Sequence, residues 1–488
     1  MSKKPEKRSF LYHSAVYWTG KMLARSISII LLPIYTAYLV PAEYGILSIF
    51  GIIIDVFMLV FSLQLPTAIY RYWAKAESEK ERQLIIGTSF LVTIFVAFFL
   101  MLPIYFWAAP IACFLDIEPY TNLLRLVLFE IQIALILSIF YVDMRIRDES
   151  KLYSALEIIA SLAIGVLSVF FVVYMSWGVA GMISAQVLIF LFIAVCCAPR
   201  FFRRLTLRID LSLIRKMIGF ALPLIPAAVA MAAVHTSDRL FIQKMLGAAD
   251  TGIYAIGYKF GMLVSILVVG PFLLIWEPKS FEIAREENAV ERYAEVFTYL
   301  TVTVSFVAVA LTGLSREIVM IMVDEKYWNA YRVIPWVAWS YVFFAMSMVA
   351  RVGLLVEKKT MVSAWIVLLI FFINITGNFL LISRLGILGA AISTLFSFVM
   401  YFIVNLLYSY EYIPIKFELK KLVYLFVIII FFSIIMNSIH IDNAYLSISL
   451  KLLVLSFMPG ILFFLGFFTQ LELGQRIRSY IPNLSKTK

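Results

Sequence analysis

The chain has 488 residues, of which 63% are hydrophobic and 15% charged, with a formal net charge of +11. No water-soluble domain carries that balance, so composition specifies a polytopic membrane protein and excludes a soluble enzyme. The positive excess invites a nucleic-acid partner, but its placement in the loops argues against one.

The first apolar stretch, residues 11–40, is long enough to cross a bilayer, which needs about 20 such residues, and too long for a cleavable signal peptide. Lys21 and Arg25 lie inside it, four apart and so on one helix face, with Ser14, Tyr17 and Ser28 extending that face. At about 1.5 Å per residue, Lys21 would sit about 15 Å and Arg25 about 21 Å along a span entered at Leu11. A cation in hydrocarbon costs about 2.5–3.5 kcal/mol, so two stacked cations belong in a wet cavity between helices. A cationic stripe there suggests an anionic cargo. The alternative is a span starting at Met22, with both side chains snorkelling to the interface.

Hydropathy predicts further spans near 45–64, 84–108, 120–141, 152–175 and 178–198. After a basic connection come 217–236, 251–276, 294–314, 333–355, 361–382 and 386–410, then 422–439 and 447–469. The expectation is an all-α membrane protein of fourteen spans. With the N-terminus inside, 29 of the 41 Lys and Arg fall in cytoplasmic segments and only 7 in outside segments. That bias supports the count, puts both ends in the cytoplasm, and accounts for the net charge without nucleic acid.

An internal repeat runs through the chain. Pro41–Gly45 matches Ala248–Gly252 at 207 residues, Tyr120, Asn122 and Arg125 match Tyr327, Asn329 and Arg332 at 207, and Gly178 and Gly181 match Gly386 and Gly389 at 208. Six spans separate each pair, so the halves repeat with the same orientation. The expected plan is a six-helix lobe at 1–207, a second at 208–415, and two further helices with a cytoplasmic tail at 416–488.

The loops carry no catalytic domain, phosphate-cradling glycine loop, metal-ligand cluster or cofactor motif. Cys113, Cys196 and Cys197 make no disulfide or metal spacing, and His13, His235 and His440 lie far apart. The expectation is therefore a transporter with no catalytic residues, metal or cofactor.

The runs LLPIYTAYLVPAEYG (31–45), RYW (71–73), GIYAIGYK (252–259) and LGILGAAIST (385–394) resemble the polysaccharide biosynthesis exporters. These are lipid-linked oligosaccharide flippases of the O-antigen type, within the multidrug/oligosaccharidyl-lipid/polysaccharide superfamily. The resemblance implies two six-helix bundles in a V, whose central cavity opens alternately inward and outward. It implies an undecaprenyl-pyrophosphate-linked sugar chain as cargo, a bacterial inner-membrane location, and a polysaccharide polymerase with chain-length machinery as partners.

On that reading Lys21 and Arg25 bind the pyrophosphate, and Lys259 adds a cation or snorkels outward beside Tyr258. Asp55, about ten residues into its span, carries a coupling proton or pairs with Lys21 or Arg25, and Glu130 beside Gln132 has the same two roles open. Asn374 and Asn378 share a helix face and either hydrogen-bond sugars or join helices. Asp238-Arg239 reads as a local ion pair or gate contact. Three competitors remain: a lipid II-type flippase, an ion-coupled multidrug antiporter of the same superfamily, and, least favoured, a membrane-embedded glycosyltransferase or polymerase.

Overall fold

A computed structural model of the protein describes residues 16, 19, 20, 22–24, 26–439, 441 and 443–467. Lys21 and Arg25 lie outside the described residues. Helices account for nearly all the described chain, and no strand occurs among the described residues.

The first fully described helix is α1 (Leu32–Tyr38). It is followed by α2 (Pro41–Phe61), α3 (Glu79–Phe106), α4 (Glu118–Ile146), α5 (Ser150–Tyr174), α6 (Gly178–Phe202) and α7 (Leu211–Met245). Then come α8 (Ala248–Ile283), α9 (Ala289–Gly313), α10 (Ile334–Ala350), α11 (Thr360–Leu385), α12 (Ile387–Tyr410), α13 (Leu419–Ser438) and α14 (Ala444–Phe464). Among the described residues twelve helices are long and apolar enough to cross a membrane. Glu325–Arg332 and α10, which meet at a 43° bend, make a thirteenth when taken together as one span. The first expected span, 11–39, runs over residues outside those described, and the described residues carry twelve spans, or thirteen with the bent pair counted as one.

Local chemistry places the helix ends. Pro41 opens α2, and the Val40 N–H donates to Glu43 Oε2 at 3.0 Å. Ser78 caps α3, Asp210 caps α7 and Asn443 caps α14, each accepting from a backbone N–H. The two prolines inside the expected 217–236 span do not break α7. They produce one 3₁₀ turn at Leu222–Leu224, and the helix resumes at Ile225. A π-type turn at Val96–Leu100 precedes Pro103, and another at Ser265–Val269 precedes Pro271.

The chain divides into two compact units. The first comprises the chain up to Ile256 with Met322–Ala330 and Ala364–Ser397. Its core is a continuous apolar cluster built around Ile49, Phe50, Leu124, Ile131, Phe140 and Phe201. At one end, Glu149 accepts from Arg200 at 2.7 Å and from Arg204 at 2.9 Å, while Asp143 pairs with Arg147 at 2.8 Å. These contacts tie together the ends of α4, α5 and α6. Burial works against the Glu149 charge, but hydrogen bonds from Arg200 and Arg204 outweigh it and hold the carboxyl below its usual value.

The second unit comprises Gly257–Ile321, Tyr331–Ser363 and the chain from Phe398. There α9 packs on α10, and the α13–α14 pair buries Phe432, Met436, Met458 and Leu462 against Val309 of α9. Trp276 Nε1 donates to the Met348 carbonyl at 3.1 Å, and the Tyr258 and Tyr341 hydroxyls are 2.9 Å apart.

Candidate functional site

The strongest concentration of polar chemistry inside the spans lies in the first unit, where α2, α7, the start of α8, α11 and the start of α12 contribute to one cluster. From α7 come His235, Ser237, Asp238 and Arg239, from α8 Tyr254, and from α11 Asn374 and Asn378. Asp238, Asn374 and Asn378 are each 0% exposed. A buried polar group without a partner costs several kcal/mol in lipid, so the folding constraint here is hydrogen-bond satisfaction.

The Asn pair satisfies itself by joining three helices. Ser237 Oγ donates to Asn374 Oδ1 at 2.9 Å, and Asn378 Nδ2 donates to the same oxygen at 3.1 Å. Asn374 Nδ2 donates to Ser397 Oγ at 3.1 Å, while Ser393 Oγ donates to the Asn374 carbonyl at 3.1 Å. Asn378 Oδ1 alone lacks a hydrogen-bond partner. Of the two roles open to these amides, joining helices is the one this conformation displays. No sugar reaches them unless α7, α11 and α12 part.

One residue along α7, the Asp238 carboxylate accepts from the Tyr254 hydroxyl, and its other oxygen accepts from the Arg239 N–H at 2.8 Å. Tyr254 is also hydrogen-bonded to Thr394 of α12. The Arg239 guanidinium acts electrostatically on Asp55, Asp238 and His235. Asp55 is exposed on α2. A carboxylate halfway along an apolar helix is tolerable only in a wet recess, so the cluster has a buried side at Asp238 and an open side at Asp55. Asp55 thus has a cationic neighbour in Arg239. The pairing with Lys21 or Arg25 expected from sequence falls outside the described residues.

Glu130, in the middle of α4, is 2% exposed, and its Oε2 has no hydrogen-bond partner among the described residues. No hydrogen bond or ion pair joins it to the Asp238 cluster among the described residues. Lys259 is half-buried on the part of α8 that belongs to the second unit. No group of three His, Cys, Asp or Glu that would hold a metal occurs among the described residues.

Sequence reasoning did not find Tyr254, Thr394 or Ser237, which carry no charge and read as ordinary span residues. It read Asp238 as the outer end of a span ending at 236. The helix instead continues to Met245, which carries Asp238 into the buried part of the bundle. Lys451 lies within α14, and sequence alone names no partner for it. The structure supplies Glu317, whose Oε1 accepts from Lys451 and, at 2.7 Å, from Ser447 Oγ.

The fold is shared with known transporters. A structure of the lipid II flippase MurJ in an inward closed conformation superposes with a TM-score of 0.71 at 12% identity, covering 93% of this chain and 99% of that one. A multidrug resistance MATE family transporter in an inward-facing conformation gives 0.65 at 13% identity, covering 82% of this chain and 94% of its own. A point mutant of the Vibrio cholerae MATE transporter VcmN gives 0.61 at 14% identity, covering 83% and 96%. At identities of 12–14% the likeness shows the fold and nothing finer. No curated protein matches the chain by sequence. The family model described as polysaccharide biosynthesis protein matches residues 10–284, more than half of the sequence, and the chain belongs to that family.

Proposed function

We propose that the protein flips an undecaprenyl-pyrophosphate-linked oligosaccharide, the repeat unit of a surface polysaccharide, across the bacterial inner membrane by alternating access. The observation that carries this reading is the Asp238–Tyr254 pair with Arg239 and Asp55, charged chemistry kept inside apolar spans of a family tied to polysaccharide biosynthesis. Charges at such depth are costly and persist where cargo or coupling ions use them.

In this reading Lys21 and Arg25 hold the pyrophosphate, with Lys259 as a further cation, and Asn374 and Asn378 meet sugar only when the helices around them separate. The Asp55–Asp238 cluster, with Glu130 as a second carboxyl, responds to the coupling ion or to the membrane potential. The lobes are 1–207 and 208–415, with 416–488 appended, and both termini are cytoplasmic. The product would pass to a polymerase and chain-length machinery outside.

A lipid II-type flippase is the second reading. It is favoured by coverage: the MurJ structure accounts for 93% of the chain, against 82% and 83% for the two MATE structures. The deciding experiment reconstitutes the protein in liposomes with either lipid-linked oligosaccharide or lipid II and measures the fraction reaching the opposite leaflet. Export of the oligosaccharide, lost in Arg25→Ala and reduced in Arg25→Lys, supports the first reading. Transport of lipid II alone supports the second, and wild-type flux in both Arg25 variants removes the phosphate role.

A further inference from the structure

The second unit holds a cavity of about 400 Å³ that the transport reading does not use. It lies where α9 ends, where Ser315–Met322 begins, and where α13 hands over to α14. Its lining includes Thr312, Arg316, Glu317, Tyr331, Asn437 and Lys451. The charge distribution of the loops puts this end of the unit on the outer face.

The inner wall is closed by the ion pair. Lys451 donates to Glu317 Oε1 and, at 2.9 Å, to the Gly313 carbonyl, and the two charged residues are 5% and 6% exposed. Those charges cancel, and several polar groups remain unspent. Glu317 Oε2 and Thr312 Oγ1 are buried without a hydrogen-bond partner among the described residues. Arg316 and Asn437 are exposed, and neither side chain has a hydrogen bond or ion pair among the described residues. Tyr331 presents its ring at 37% exposure.

The cavity therefore offers acceptors at its base, donors at its mouth and one aromatic face. A sugar hydroxyl both donates and accepts, and the C–H face of a pyranose covers an aromatic ring, so this mixture suits a hydroxyl-rich ring. Among the described lining residues the net charge is the single one on Arg316, because Lys451 is committed to Glu317. That suits a neutral sugar or one carrying a single carboxylate. It does not suit a phosphate group, which calls for more positive charge than one guanidinium supplies.

We propose that this cavity is an outward-facing glycan subsite, separate from the transport path, that holds one neutral or singly acidic sugar residue. Its chemistry stands on its own lining; that the occupant is the exported glycan rests on the flippase reading above.

The test uses the full chain in lipid nanodiscs and saturation-transfer NMR with methyl α-D-glucopyranoside and D-glucuronate as probes. Both sugars should show transfer, and Arg316→Ala should weaken glucuronate by about tenfold, the loss of one charge-assisted hydrogen bond. Asn437→Ala should weaken both, and Thr312→Val, which keeps the side-chain shape, should weaken both again. Absence of transfer in the wild type, or transfer unchanged in all three variants, overturns the proposal. So does competition by inorganic phosphate or by nanodiscs rich in phosphatidylglycerol, which would mark a lipid-headgroup site. Lipid-linked oligosaccharide flux is measured on the same preparation. Flux without sugar binding sinks the subsite and leaves the flippase reading standing, and sugar binding without flux does the reverse.

Discussion

Gly45 and Gly252, 207 residues apart in the repeat, lie directly against each other. A Cβ on Gly45 would overlap the Ala248 carbonyl, and one on Gly252 would overlap the Pro41 carbonyl. The two matching helix starts cross at a distance only glycine permits. The repeat shows again at Gly178 and Gly386, both left-handed with φ of +53° and +61°.

That crossing makes a prediction about stability. Gly45→Ala and Gly252→Ala should each lower the detergent-solubilised unfolding temperature, by an overpacking cost of about 1–3 kcal/mol or more, because the obstructing atoms are backbone. Gly219→Ala, where nothing lies within 4 Å, should be neutral or slightly stabilising. Equal behaviour of the three variants in a thermal melt would refute the close crossing.

The Lys451–Glu317 pair makes another. Removing one partner, as in Lys451→Met, leaves a buried uncompensated charge and should cost about 3–5 kcal/mol. The double variant Lys451→Met with Glu317→Leu should recover most of that loss. A double-mutant cycle measured by denaturation checks it, and simple additivity of the two losses would contradict a buried pair.

At the first unit's Glu149 the dependence is on pH. Its folded value lies below the unfolded one, so its stabilisation is present above the usual carboxylate range and is lost as pH falls through the lowered folded value. Arg200 is half exposed, so the contribution is modest, about 1 kcal/mol or less. Glu149→Gln should lower stability at neutral pH by about that amount and leave it little changed below the lowered folded value, so that the acid limb of a pH series of denaturation curves is flatter than in wild type.

The buried carboxyl cluster gives the functional prediction. Asp238→Asn should reduce flux more than tenfold, and Tyr254→Phe should reduce it less, because the carboxylate keeps the Arg239 N–H. Asp55→Asn and Glu130→Gln should each change the dependence of flux on pH, sodium or membrane potential if those groups respond to the driving ion. Transport assayed across a series of imposed gradients reads this out, and a curve superimposable on wild type removes that residue from coupling.

The membrane class, the order of the spans, the internal repeat and the family were all legible in the linear sequence. Hydropathy and charge are one-dimensional quantities measured against a bilayer of fixed thickness, so a run of about 20 apolar residues and a loop rich in Lys declare themselves without any fold. Which polar side chains meet was not legible. Asp238 finds Tyr254, Asn374 finds Ser237 across 137 residues, and Lys451 finds Glu317 across 134. Helices that are apolar nearly all round give no periodic mark of which face turns inward. Only the lateral packing of the helices selects the partners, and with them the places where charge can be kept inside the membrane.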